Sequence, residues 1–491
     1  MEKHKDYLKS PDLLPTSIEK RTIGSFGFVI VWIGMAVVLA AFTLGGAGIQ
    51  QLPLGMVILA TAVGSVLLGI LMTLTGDIGV EHGLSFPVYM RAPFGTVGTH
   101  IPSILRGFVA AGWFGVNSYF GALAMNSILY TLTGFDSWEL CFGLFVIAQL
   151  INTAIGIKAI ERFADLAAPI IILISGWMYI TLSDQAVSTG KDIWSWVESP
   201  ATGTVAFTAF IVVVMGNMGF WSALAADMPT ISRFIKAPAH NKNWFKRNKN
   251  AILGNIVAYP ITQMFMVAIG AVSYIALGNA DPIAAIQQSA NGLILGVLLM
   301  MIILAQWSTN TTANLTPAAT IFSNIGGPRM PFWLGVIVAG IVGVVIQPWN
   351  LFEFINSTLL YIGAVLSGIV GILIADYYFI RKRRVNVKDL YELDGQYHYK
   401  NGVNYAGFIA WLVGAICAII FMNYSFIVGL FVSGASYFVL AKFWWFKVYK
   451  QKEIENPSDD LYLGISVGRS WEIPSQAPPI DVEDTVLEWR Q

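Results

Sequence analysis

The sequence predicts an all-α membrane protein of about twelve spanning helices, built as two five-helix halves of opposite orientation with two further helices at the end. Three observations carry this expectation. Only 12% of the 491 residues are charged and 56% are hydrophobic, against about 25% charged in a soluble domain; mean hydropathy is +0.64. That leaves too little polar surface to cover a water-soluble body of this length, so lipid is the solvent for much of the chain. The apolar residues also fall into runs of the length, about 20 residues, that carries a helix across a hydrocarbon core. Finally, the basic residues between the runs fall almost entirely on one side.

In chain order the runs cover 25–51, 53–76, 99–131, 137–157, 163–183, 204–228, 250–278, 291–324, 330–347, 351–380, 405–423 and 425–446. None alternates with a period of two, as the strands of a membrane barrel do. With segment 1–24 in the cytoplasm, the loops on that side carry Arg91, Lys158, Arg162, Arg233, Lys236, Lys242, Arg247, Arg329 and the Arg381–Arg384 cluster, while the opposite loops carry only Lys191. One helix more or fewer would scramble this positive-inside asymmetry downstream. The first half then occupies 25–183, the second 204–380, and the last pair 405–446. The first run is too long for the core of a cleaved signal peptide, so it is read as both insertion signal and anchor. The polar, proline-bearing segment 450–491 is expected to be an exposed cytoplasmic tail.

Several functions are disfavoured. Formal net charge is zero, which gives no footprint for nucleic acid. Cys141 and Cys417 lie in apolar runs and are too few for a disulfide framework or a metal cluster. The sequence contains no HExxH, P-loop, CxxC or GxSxG pattern, and its histidines are scattered through tails, loops and helix ends. A membrane enzyme or a sensor therefore has no motif to rest on, and a passive channel has no ring of charges or filter repeat.

Two halves of opposite topology are a common plan of secondary transporters, whose substrate sits near the midplane beside interrupted helices. The lead helix of each half carries glycines at matching depth: Gly34-Met35-Ala36 in the first span and Gly216-Asn217-Met218-Gly219 in the sixth. Glycine weakens a helix interior and lets backbone approach an ion or ligand closely. Close helix packing is the competing explanation, as for Gly55, Gly64 and Gly69 in the second span.

Polar side chains inside spans are costly, and are either functional or paired. The densest group, Gln306 to Asn314, lies in the eighth span. Ser308 and Thr309 offer adjacent hydroxyl oxygens that, with carbonyls freed by a break in the first helix, would make an all-oxygen site for a monovalent cation; bonding back to their own helix is the alternative. Asn314, five residues beyond Thr309, is expected on a different face. Its amide suits a ring with neighbouring N–H and C=O groups, or equally a neighbouring helix. In the third span Trp113 and Asn117 are four residues apart and share a face, and Trp221 directly follows the glycines of the sixth. Both indoles sit well inside their spans, which argues against an interfacial belt and leaves core packing as the alternative. Arg106, Asp227 and Arg233 are expected to face the cytoplasmic headgroups, an inner vestibule or one another. With no ionisable residue evident at the midplane, a neutral ligand is expected.

On these residues the chain resembles the nucleobase–cation symporter-1 family, carriers of nucleobases, hydantoins and allantoin. The resemblance runs over nearly the whole chain: EKRTIGSF and WIGMA entering the first span, GLSFPVYMRAPFG before the third, WFGVNSYFGALA within it, WSTNTTANLTPA in the eighth, PWNLFEFINSTLL and ADYYFIRKRRVNVKDLY around the tenth, and GVNY opening the eleventh. It implies the leucine-transporter-like five-plus-five fold and import by alternating access through the cell membrane. Trp113 and Trp221 would sandwich the substrate ring, with Asn314 on its amide edge and Asn117 assisting. A sodium ion would take the carbonyls of Gly34, Val37 and Ala305 and the hydroxyls of Ser308 and Thr309. The outer gate would lie around Leu359. No cofactor is implied beyond the coupling ion, and the expected functional unit is a monomer. Two residues depart from the hydantoin-type pattern: Asn117 stands where several members have glutamine, and Phe220 replaces a small residue. Both favour a compact ring. Proton coupling is the alternative within the family; an amino-acid or amine carrier of the same fold would need an anionic partner that the sequence does not show.

Overall fold

The computed structural model describes residues 8–9, 13–155, 158–347, 350, 354–457 and 462–469. Among them the regular elements are helices, joined only by isolated bridges such as Ile23 to Ile235. The membrane helices are α1 in two pieces (Ser25–Ala36 and Ala41–Ile49), α2 (Leu54–His82), α3 (His100–Thr133), α4 (Trp138–Ile155), α5 (Lys158–Ser188), α6 (Gly203–Ser232), α7 (Lys249–Leu277), α8 (Gly292–Gly326), α9 (Phe332–Val345), α10 (Ile355–Ile374, extended to Ile380), α11 (Tyr405–Ile420) and α12 (Ser425–Leu440, extended to Val448). Among the described residues, 8 helices are individually long and apolar enough to cross a membrane, and the bent pair of α1 makes 9. α9 and α11 are apolar but shorter. Each run read from the sequence coincides with one of α1 to α12. The expected start of the tenth run, at 351–353, lies outside the described residues.

The packing has the symmetry of an inverted repeat. Exchanging each helix of the first five with its counterpart in the second five maps contacts onto contacts. The second piece of α1 packs on α7, and the second part of α6 packs on α2. α5 touches α1, α7 and α8; its counterpart α10 touches α6, α2 and α3. α3 and α8, which are each other's counterparts, pack together, and α11 and α12 pack outside α10. Small residues permit the tightest of these approaches. A side chain on Gly45 would collide with the Val267 carbonyl, and one on Gly270 with the backbone of Phe42, so α1 and α7 meet nearly backbone to backbone.

The breaks fall later than the glycines suggested. α1 ends at Ala36, and the chain bends by 61° across Val37–Ala40. α6 runs unbroken through Gly216–Gly219 and is interrupted only at Trp221, whose φ and ψ are −102° and 6°. The reason is that these residues are used for packing: a Cβ on Gly219 would run into the Leu359 carbonyl of α10. Asn217 donates to Ser65 on α2 at 2.8 Å and accepts from Gln263 on α7 at 2.9 Å.

The tail reading is also corrected. Residues 450–457 and 462–469 are docked. Gln451 and Ile465 are buried, Glu453 pairs with buried Arg381, and the Tyr462 and Ser466 hydroxyls donate to buried Glu81 at 2.8 and 2.5 Å. A buried carboxylate needs such partners, and the tail supplies them. Residues 470–491 lie outside the described residues.

Candidate functional site

The two broken helices and the two helices that cross between the halves enclose one pocket. Met35 comes from the end of the first piece of α1 and Val38 from its break; Arg106, Trp113 and Asn117 come from α3; Phe220, Trp221, Ala223 and Leu224 from α6; Thr309, Ala313 and Asn314 from α8. Residues far apart in sequence meet here because α3 and α8 pack together, with α8 lying against α1 and α3 against the second part of α6.

One wall is aromatic. Phe220 lies between the expected stacking partners in contact terms: its ring centroid is 4.5 Å from that of Trp113 and 5.3 Å from that of Trp221. Trp221 is backed by Trp32 at 5.9 Å and Tyr259 at 5.6 Å, and Trp32 is held by its indole N–H on Asn255 at 2.7 Å. Trp221 is thus fixed from behind, which lowers the entropy lost on stacking a ligand. The cavity measures only about 40 Å³, room for a few waters, because Phe220 fills the space beside the indoles.

The polar wall is incomplete. Asn117 Oδ1, Trp221 Nε1 and Arg106 Nε are buried with no hydrogen-bond partner among the described residues. Buried polar atoms are nearly always paired in native structures, so three orphans in one pocket call for partners from outside the chain. Asn314 donates its amide N–H to Asn310 Oδ1 at 2.9 Å, leaving its own carbonyl oxygen to accept. Asn310 is in turn fixed by the Phe114 carbonyl, Ser118 and Gln149. The pocket therefore offers donors at Trp221 and Arg106 and acceptors at Asn117 and Asn314. Asn314 reaches it because Thr311–Leu315 is π-helical. In an α-helix residues five apart are about 140° apart around the axis; one wide turn brings Thr309 and Asn314 to the same cavity. Helical periodicity alone predicts different faces for the two.

Of the residues expected to hold a cation, Gly34 and Thr309 meet directly. In a continuing α1, the N–H groups of Val38 and Ala41 would bond to the carbonyls of Gly34 and Val37. Instead Val38 donates to Ala36 at 2.9 Å and Ala41 to Val38 at 3.0 Å. Both carbonyls are released from the helical ladder, and the Thr309 hydroxyl donates to Gly34 at 2.7 Å. Ser308 and Ala305 are buried on the same stretch of α8. Leu359 is fully buried, where it packs on Gly219, and does not line the pocket.

One expectation is overturned: an ionisable side chain does reach the pocket of the indoles and amides. Arg106 lines the pocket and pairs with Asp227 at 3.3 Å, both nearly inaccessible to solvent. The sequence paired them as one possibility but placed neither beside the indoles. Removing one member of such a pair strands a buried charge, at a cost of about 3–5 kcal/mol. Trp32 and Tyr259 are supporting residues that the sequence did not single out, and Asn310 stood out only as one member of the polar group in the eighth span. Their only prior signal was an aromatic or polar side chain deep in an apolar run.

A family model described as permease for cytosine/purines, uracil, thiamine, allantoin matches residues 15–444. A hydantoin permease from Microbacterium maritypicum is 29% identical over 431 residues, covering 86% of each chain. An allantoin permease from Bacillus subtilis is 27% identical over 464 residues, 89% of this chain and 93% of its own. Among solved structures, a nucleobase-cation-symport-1 family transporter in a closed conformation with bromovinylhydantoin bound superposes with a TM-score of 0.83, at 27% identity, over 92% of this chain and 100% of that one. These relatives are named as permeases and a transporter, not as enzymes.

Proposed function

The chain belongs to the permease family for cytosine and purines, uracil, thiamine and allantoin, and on that premise we propose that it imports a small neutral ring of the hydantoin, allantoin or nucleobase type by sodium symport. The observation that carries the reading is the pocket in which two indoles meet orphaned polar atoms of α3 and α6 and the Asn314 amide of α8. A flat ring with alternating N–H and C=O groups complements such a set, and an analogue lacking one of them leaves a buried group unpaired, at about 1–3 kcal/mol. Arg106 keeps its charge on Asp227 and offers only an N–H, so the ring stays neutral. In this reading Trp113 and Trp221 stack the ring, Asn117 and Asn314 accept its N–H groups, and Phe220 moves aside to admit it. Sodium takes the carbonyls of Gly34, Val37 and Ala305 with the hydroxyls of Ser308 and Thr309. The ion thereby braces α1 against α8, which couples ion and ring affinity reciprocally. Leu359 belongs to the outer gate, at the start of α10. Both termini face the cytoplasm of a cell whose membrane potential favours inward sodium.

The test is a titration of intrinsic tryptophan fluorescence with uracil, cytosine, allantoin and unsubstituted hydantoin, each in sodium and in choline buffer. Saturable quenching by one of them, tightened by sodium, is the expected result. Quenching indifferent to sodium moves the coupling to protons, and no response from folded protein refutes the ligand class.

Phe220 limits the size of the ring. Replacing it with alanine is expected to let hydantoins with a bulky 5-substituent compete with the unsubstituted ring, improving their relative affinity by about tenfold, equivalent to about 1.4 kcal/mol. Competition binding against both compounds checks this; an unchanged ratio removes Phe220 from the specificity determinants.

A further inference from the structure

A second cavity, of about 160 Å³, lies on the face that carries the basic loops, at the ends of α2 and α10 and away from the ring site. Its lining includes five cations, Lys242, Arg247, Lys382, Arg383 and Arg384, together with the docked tail at Tyr462 and Ser466. Arg247 is already matched, lying 2.6 Å from Asp77 and 2.8 Å from Glu81. Lys242, Lys382 and Arg383 have no carboxylate partner among the described residues. Like charges gathered around one cavity repel, and their proximity needs a compensating structure.

The backbone supplies that structure at visible cost. Lys382 and Arg383 are consecutive non-glycine residues in the left-handed region, with φ of 50° and 66°. Such residues cost on the order of 1–3 kcal/mol each and persist where their surroundings over-determine them. Here the Arg383 N–H donates to the Tyr377 carbonyl at 2.7 Å, and the Arg383 carbonyl meets His82 Nε2 at 3.2 Å. The hairpin is therefore held in the form that turns the chain back at the rim of the cavity. Tyr462, whose hydroxyl is kept protonated by burial and by the neighbouring Glu81 carboxylate, closes the opposite side through its 2.8 Å bond to Glu81.

We propose that this cavity is a binding site for a phosphate-class anion, bridging the cytoplasmic end of α10, the 242 loop and the docked tail. Convergent lysines and arginines recognise phosphate oxygens by charge-assisted hydrogen bonds, and basic pockets between helices on the cytoplasmic side of membrane proteins take phosphate headgroups. An anion bound only by the docked tail arrangement stabilises that arrangement by mass action. The ring site is not required for this, so the proposal stands apart from the transport reading.

The test uses the full-length chain in a neutral detergent. Inorganic pyrophosphate, titrated calorimetrically at fixed ionic strength, is the soluble probe; nanodiscs of phosphatidylcholine with and without phosphatidylglycerol are the lipid probe, read by thermal unfolding. The expected result is saturable pyrophosphate binding, or a higher midpoint in phosphatidylglycerol, that is weakened at least tenfold or lost in the K242Q/K382Q/R383Q variant. Pyrophosphate binding identifies a soluble anion, and a response to phosphatidylglycerol alone identifies a headgroup. A K191Q variant on the opposite face should behave as the parent. Circular dichroism and gel filtration show that the triple variant is folded; should it not fold, K382Q alone is titrated in its place. Absence of both responses, or equal responses in parent and variant, overturns the proposal and means that the cavity's charge is balanced within the chain.

Discussion

Replacing Trp221 with alanine is expected to weaken binding of the ring by about 30- to 800-fold. Base–aromatic stacking is worth about 1–3 kcal/mol by alanine substitution. The indole N–H, buried and without a partner among the described residues, adds about 1 kcal/mol when it donates to a ring carbonyl. Together these give about 2–4 kcal/mol, at 1.4 kcal/mol per tenfold. Trp221 also packs on Trp32 and Tyr259, so the variant loses stability as well as affinity. A Trp221→Phe variant separates the two effects. It retains the stack and most of the packing but not the N–H, and should lose only about five- to tenfold, the equivalent of about 1 kcal/mol. Equilibrium binding on both variants, with thermal unfolding in parallel, checks this. Parent affinity in a folded Trp221→Ala variant would remove the stacking role.

The second large effect is expected from changing Ser308 and Thr309 together to alanine. The Gly34 and Val37 carbonyls are freed by the α1 break, and the Thr309 hydroxyl already touches one of them. Removing both hydroxyls strips two of five proposed oxygen ligands and leaves the carbonyls in place. In the parent, sodium should tighten ring binding by about 5–150-fold, the usual range of coupling between sites. In the double variant the ratio of affinities in sodium and choline should fall to about one, with the choline value little changed. Loss of the Thr309–Gly34 bond costs about 1 kcal/mol of stability, too little to unfold the protein. A Thr309→Ser change, which keeps the hydroxyl, should preserve much of the coupling. A double variant with the parent's sodium response would place the ion elsewhere.

The spans were legible because each is a long apolar run, and the site's ingredients were legible because polar groups stand out against such runs. Trp113 and Asn117 share a face at a spacing of four, and the structure brings both to the pocket. What the sequence misplaced depends on local backbone choices that leave no mark in residue type. The α1 break falls in Val37–Ala40, an apolar stretch like its surroundings, whereas Gly219 of α6 serves contact with Leu359. Asn314 faces the pocket through one π-helical turn, which a period of 3.6 does not anticipate. Arg106 enters the site because its partner, Asp227, arrives from the other half of the repeat. The polarity of the tail predicts exposure, yet that polarity is what Glu81 and Arg381 use.

In the proposed transport, downhill sodium drives a neutral ring across the membrane. The most direct measurement is uptake of the radiolabelled ring that binds best, into proteoliposomes of the purified chain, with sodium outside and potassium inside. The expected result is accumulation above the external concentration, increased by an inside-negative valinomycin potential and abolished when sodium is equal on both sides and the potential is absent. Accumulation that follows an imposed pH gradient and ignores sodium would contradict it.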